Sequence, residues 1–193
     1  NARGVRLSAT DLLKNYLFSV LDRRQPSDHE LRALEDRWEA MVGRLGAESF
    51  PDFLRVHWNS RRTFTRQAEL FKTIRAVVQK REAVFALLRE MEEDLDTYLE
   101  LSLPETSTWS SPEREHVAAL RMFSVRQPFS MLLAARRNLE PATFQDLLRA
   151  CVIVSLRFNV ICGYSTGEQE RVYGAAALRI ARGEIRTLHD VLQ

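Results

Sequence analysis

Apolar residues return every three or four positions along most of this chain, the spacing that gathers them on one face of an α-helix. Leu12, Leu13, Tyr16, Leu17 and Val20 make the first such face. Ser8-Ala9-Thr10-Asp11 opens it: Ser8 suits an N-cap, and Asp11 suits the positive end of the helix dipole. Pro26-Ser27-Asp28-His29-Glu30 opens a second helix, with Ser27 and Glu30 at capping-box spacing. Its apolar face is Leu31, Leu34, Trp38, Met41 and Val42, and Gly43 or Gly46 ends it. A short third helix is expected from about Asp52 to Trp58.

From Arg66 a longer pattern begins with Phe71, Ile74, Val77 and Val78 and continues through Val84, Leu88, Met91, Leu95 and Tyr98 to Leu101. A break is expected near Gln79 to Glu82, and Pro104 stops the pattern. Ser111-Pro112-Glu113 restarts it with a cap, a proline at the first helical position and an acid. Pro128 and Pro141 each begin a further helix. The Pro141 helix, carrying Phe144, Leu147, Leu148, Cys151 and Val152 and reaching toward Val160, is apolar on most sides and is expected at the centre. Gly163 ends it. Thr166 to Ala181 follows, stopped at Gly183, and Thr187 to Gln193 begins a last helix that the chain does not finish.

Gly4-Val5-Arg6-Leu7 reads as a short extended lead-in. The expected fold is therefore all-α, an irregular multi-helix bundle of about eight to ten helices. Residues 1–193 read as a single helical domain, with a possible subdivision near 103–111.

Composition adds limits. The 193 residues, 45% hydrophobic and 28% charged, suit a globular domain able to bury its own core. No apolar run approaches the ~20 residues of a membrane span, and Arg3 and Arg6 interrupt any signal-peptide core. Cys151 and Cys162 form no CxxC pair and sit among apolar residues, which suits buried thiols in a cytoplasmic protein. The net charge of +2 does not require a nucleic-acid partner. Of the 28 basic residues, three are lysines (Lys14, Lys72, Lys80), leaving 25 arginines. A GC-rich coding bias explains that excess as well as function does.

The chemistry is mostly negative. His29, His57, His116 and His189 stand far apart, without metal-ligand spacing, and read as surface or helix-end residues. There is no glycine-rich phosphate loop and no nucleophile elbow. Glu90, Glu92, Glu93, Asp94 and Asp96 are nearly consecutive, so a helix splays them outward as a solvated face. Arg61, Arg62 and Arg66, among Asn59, Ser60, Thr63 and Thr65, are the candidate phosphate or DNA contact, because guanidinium forks match phosphate oxygens. An ordinary solvated loop is the competing reading. Arg136-Arg137-Asn138 suits a helix C-terminus through the dipole alone. No set of residues here makes a self-contained enzyme.

The run Asn1-Ala2-Arg3-Gly4-Val5-Arg6-Leu7-Ser8-Ala9-Thr10-Asp11-Leu12-Leu13-Lys14-Asn15-Tyr16-Leu17-Phe18 resembles the "LNxRGxxLSxxDLLKNYLF" segment of the GmrSD-type family, whose members carry a ParB-like nuclease or NTPase domain. Phe53 to Ser60, Leu70 to Ile74 and Arg157 to Tyr173 resemble that family's helical continuation. The resemblance implies modification-dependent (type IV) restriction or, more broadly, phage defence. It makes residues 1–20 the end of the ParB-like domain and places Asn1, Arg3 and Gly4 at the periphery of a nucleotide site in the parent protein. The family's Asp-Gly-Gln-Gln-Arg motif lies upstream of this segment and does not occur here. Nor does the downstream nuclease module.

The chain is thus expected to be an interior slice of a longer bacterial protein, a reading that its Asn1 start and unfinished last helix share. It would have no catalytic residues, metal or cofactor of its own. NTP and Mg2+ would belong to the parent, an NTP-dependent DNA endonuclease. Its partners would be the missing modules and DNA, with no membrane. The alternative is a helical protein-interaction or structural module with no nucleic-acid role.

Overall fold

The computed structural model describes residues 9–22, 27–46, 49–103, 108–157 and 166–191. They form α1 (Ala9–Asp22), α2 (Asp28–Leu45), α3 (Phe50–Asn59), α4 (Gln67–Val77), α5 (Arg81–Ser102), α6 (Ser111–Met122), α7 (Phe129–Asn138), α8 (Pro141–Arg157), α9 (Thr166–Ala181) and α10 (Leu188–Val191). No strand occurs among the described residues. The all-α expectation holds. The Gly4–Leu7 lead-in and the Ser8 cap lie outside the described residues, as do Gly163 and the stretch from Phe158 to Val160.

The chain divides into two compact units. One comprises residues 1–55 and 65–95, the other residues 56–64 and 96–193. The 103–111 segment therefore lies within the second unit.

In the first unit, α1 packs on α2 and α4. Leu13 and Leu17 of α1, Leu34 and Trp38 of α2, and Leu70 and Ile74 of α4 are at most 2% exposed. Side chains of this size stabilise a fold by roughly 1.5–3 kcal/mol each when fully buried. The Trp38 and Phe50 rings meet at 4.9 Å. Ser27 and Glu30 close the expected capping box on α2: the Glu30 amide donates to the Ser27 hydroxyl and the Ser27 amide to the Glu30 carboxylate, both at 3.3 Å. Gly43 stays inside α2. Gly46, at φ +59°, ends it, because glycine enters the left-handed region without steric cost. The break between α4 and α5 falls at residues 78–80.

In the second unit, α7 is the central helix rather than α8. Every residue from Phe129 to Ala135 is buried. Ile153 on α8 is 42% exposed. The apolar circumference of α8 is thus spent partly on solvent. α7 packs most extensively on α9. Ala134 and Ala135 on α7 and Ala177 on α9 are fully buried, and side chains this small let two helix backbones come close. Ser110, one residue earlier than expected, is the N-cap of α6. Its amide and hydroxyl both donate to the Glu113 carboxylate, at 2.9 and 2.6 Å.

Candidate functional site

The arginine window begins where α3 ends, in the second unit. Trp58 is 1% exposed, and the Arg62 guanidinium stands over its ring at 4.5 Å. The backbone turns here, with the Arg61 and Arg62 amides donating to the Trp58 carbonyl at 3.2 and 3.0 Å. Arg61 and Arg62 are half-buried, and the Arg62 guanidinium lies against the end of its own helix rather than extending into solvent. Arg66 belongs to the other unit, where it is exposed and sits at the N-cap of α4 without a side-chain capping bond. The three arginines that share a sequence window thus divide between two units. Asn1, Arg3 and Gly4 lie outside the described residues.

His57, Asn59 and Ser60 are at most 1% exposed. For His57 this corrects the surface reading: the α3 register turns it inward beside Trp58. The Ser60 hydroxyl donates to the His57 carbonyl at 2.7 Å. Arg137, at the end of α7, donates to the Ser60 carbonyl at 2.9 Å and to its hydroxyl at 3.2 Å. Arg137 therefore does more than complement the α7 dipole; it fixes the turn that carries Arg61 and Arg62. Sequence separation hid this, since the two residues are far apart in the chain.

Arg136 is also committed. Its guanidinium stands over the Trp109 and Phe144 rings and pairs with Glu113 at 3.5 Å. Glu113 is 8% exposed, so the carboxylate is largely withdrawn from water while the Arg136 side chain, 34% exposed, stays half-buried.

The acidic run of α5 is not uniformly solvated. Asp94 is 1% exposed, because the helix turns that position onto the same side as the buried Met91 and Leu95. Glu92 accepts a two-pronged contact from Arg37, at 2.8 and 2.7 Å, which holds the Arg37 pKa above its usual value. Among the described residues no three His, Cys, Asp or Glu side chains converge to hold a metal ion. No helix among them is long and apolar enough to cross a membrane.

Cys151 is buried as a free thiol on α8, in the wall of an apolar hollow of about 490 Å3 that Met131, Leu147, Val172 and Tyr173 also line. Burial pushes its pKa up to about 12, so it is no nucleophile near neutrality. Burial likewise pushes Tyr173 up to about 12. Cys162 lies outside the described residues.

No family model, no curated protein and no solved structure matches this chain.

Proposed function

We propose that this chain is the non-catalytic helical portion of a modification-dependent restriction or phage-defence protein, supporting the catalytic domain and contacting DNA. The observation that carries the reading is the run from Asn1 to Phe18 and its likeness to the GmrSD-type segment. The part of that run in α1 has evident structural work. Leu13 and Leu17 enter the core, Lys14 pairs with Glu39 at 2.5 Å, and the Tyr16 hydroxyl donates to the Val78 carbonyl at 2.7 Å. These contacts anchor the helix that follows the Asn-x-Arg-Gly residues, which is what a support for an upstream nucleotide-binding domain requires.

On this reading Asn1, Arg3 and Gly4 approach the nucleotide of the parent protein, and NTP and Mg2+ bind there. Arg61, Arg62 and Arg66 are the proposed DNA contacts. The test is made on the parent protein carrying its upstream domain. It is expected to hydrolyse nucleotide and to cut modified but not unmodified DNA. Failure of both activities overturns the reading. For the DNA contact, affinity is expected to fall steeply with salt as counterions are released, and Arg61→Ala with Arg62→Ala to flatten that dependence. Binding that ignores salt would argue for a purely structural module.

A further inference from the structure

The hollow beside Cys151 lies within the second unit, between α7, α8 and α9, with Val191 of α10 at its edge. Its lining grades from dry to wet. Met131, Leu147 and Cys151 are buried at the floor. Ala150, Val154, Tyr173 and Ala176 are half-buried in the sides. Val172, 60% exposed, stands with the exposed Glu168 at the mouth.

Size separates this hollow from a packing fault. Native interiors are close-packed, with few voids larger than a water molecule. Its volume of about 490 Å3 is roughly three times the ~150 Å3 of an apolar cavity that takes up benzene. It also falls within the range of small-molecule sites, about 300–1,000 Å3. Water entering it meets mostly carbon, so an apolar occupant gains by displacing that water.

The described lining is poorly suited to a charged occupant. The Tyr173 hydroxyl is engaged with Ser155, and burial keeps the Cys151 thiol protonated. Glu168 is the one charged residue among the described lining residues, and it pairs with Arg171 at 3.1 Å. Its carboxylate opposes an anion at the mouth, and its arginine partner leaves it little to offer a cation.

The walls suit a flat, rigid occupant. Met131 and Cys151 bring sulfur and Tyr173 brings a ring, and both thioethers and aromatic side chains make favourable contacts with aromatic edges. Val154, Val172 and Val191 are stiff about their first side-chain torsion, so these walls are set before a ligand arrives. A ring system loses less freedom on binding than a flexible chain does.

We infer that this hollow binds an uncharged aromatic molecule of about two or three rings, with Met131, Leu147 and Cys151 beneath it, Tyr173 beside it and Val172 covering its outer edge. The inference goes beyond the reading of residues 1–18 and is independent of it.

The test titrates the purified chain with phenylnaphthylamine, an uncharged aromatic amine whose fluorescence rises in apolar surroundings. Anilinonaphthalene sulfonate, the same skeleton carrying a negative charge, is the comparison. Phenylnaphthylamine is expected to saturate at one molecule per chain, and the sulfonate to bind about tenfold or more weakly, because its charge would have to be buried. Ala176→Phe fills the hollow. It is expected to weaken phenylnaphthylamine about tenfold or more while the melting temperature stays equal or rises, as filling a cavity does. Val172→Asp, at an exposed position that tolerates a charge, is expected to weaken it about tenfold by removing apolar contact at the mouth. This second variant decides the matter if Ala176→Phe does not fold. Val77→Asp, at a valine of the other unit that is 55% exposed, is expected to change nothing. The inference is overturned if phenylnaphthylamine does not saturate, if the sulfonate binds equally well, or if either hollow variant, once folded, binds as the unsubstituted chain does. A lower melting temperature for Ala176→Phe together with no saturable binding would show the hollow to be filled by the chain itself, and overturns it too.

Discussion

The guanidinium of Arg136 stands over the Trp109 ring, 5.0 Å from its centroid. The same group stands 5.1 Å from the Phe144 centroid, and those two rings meet edge to face at 5.4 Å. One α7 side chain thus joins the segment before α6 to the core residue of α8. Arg136→Ala is expected to destabilise the second unit by about 1–2 kcal/mol, since it removes the cation–π contacts and the charge partner of a Glu113 carboxylate that keeps its Ser110 hydrogen bonds. Arg136→Lys should recover only part, because an ammonium has no plane to lay against a ring. Urea denaturation of the three proteins measures both. Equal stability of all three would show the contact to be idle.

The two helix stops at Ser124 and Gly183 make an internal comparison. Both residues occupy the left-handed region, and both precede an amide that reaches back to the carbonyl five residues earlier. Ser124→Gly is expected to raise stability by about 1 kcal/mol and Gly183→Ala to lower it by a similar amount. Thermal melts of the pair are decisive by sign. A loss on Ser124→Gly would mean that the serine side chain stabilises the turn.

Glycines inside helices should diverge as well. A Cβ at Gly174 would meet Phe64 Cδ2 at 2.9 Å, whereas one at Gly43 meets nothing within 4 Å. Helix propensity favours alanine at both by about 1 kcal/mol. Gly43→Ala should therefore stabilise, while at Gly174 the displaced Phe64 ring should reverse the sign. Equal gains at both positions would show that the ring gives way freely.

Alkaline pH gives a further test. The folded-state pKa of Cys151 is raised to about 12 by burial, above the ordinary thiol value of 9.0, and that of Tyr173 to about 12 from 10.0. The folded state holds these protons more tightly than the unfolded chain does. Their effect on stability is therefore nil below about pH 9 and grows unfavourable as pH rises toward 12. Cys151→Ala should flatten the decline that begins near pH 9, read as chemical-denaturation midpoints against pH. Iodoacetamide should modify the Cys151 peptide slowly until the protein unfolds, as mass spectrometry would show.

Much of the fold was legible in the sequence because a helix is a local object. The three-to-four spacing of Leu13, Leu17 and Val20, the Ser27–Glu30 box and the stop at Gly183 act within a few residues of themselves, so the helices and most of their ends follow from the string alone. The same logic fails wherever a position's meaning comes from a distant neighbour. His57 and Asp94 look like surface residues by type, and only packing turned them inward. The Pro141 helix has the broader apolar surface, yet α7 took the centre because its short, small-residue turns let α9 approach.

The candidate site divides along the same line. The sequence determined that Arg61, Arg62 and Arg66 are close in the chain, and that no metal-ligand spacing exists among its histidines. Only the tertiary structure decided that Arg62 leans on the end of α3, and that it and Arg61 belong to one unit while Arg66 belongs to another. It alone brought Arg137 to Ser60, and Cys151 to Val172 and Tyr173 around one hollow. Hydrogen bonds and charge clusters between remote segments leave no periodic trace, because each partner is free to sit at any distance along the chain that the packed helices allow.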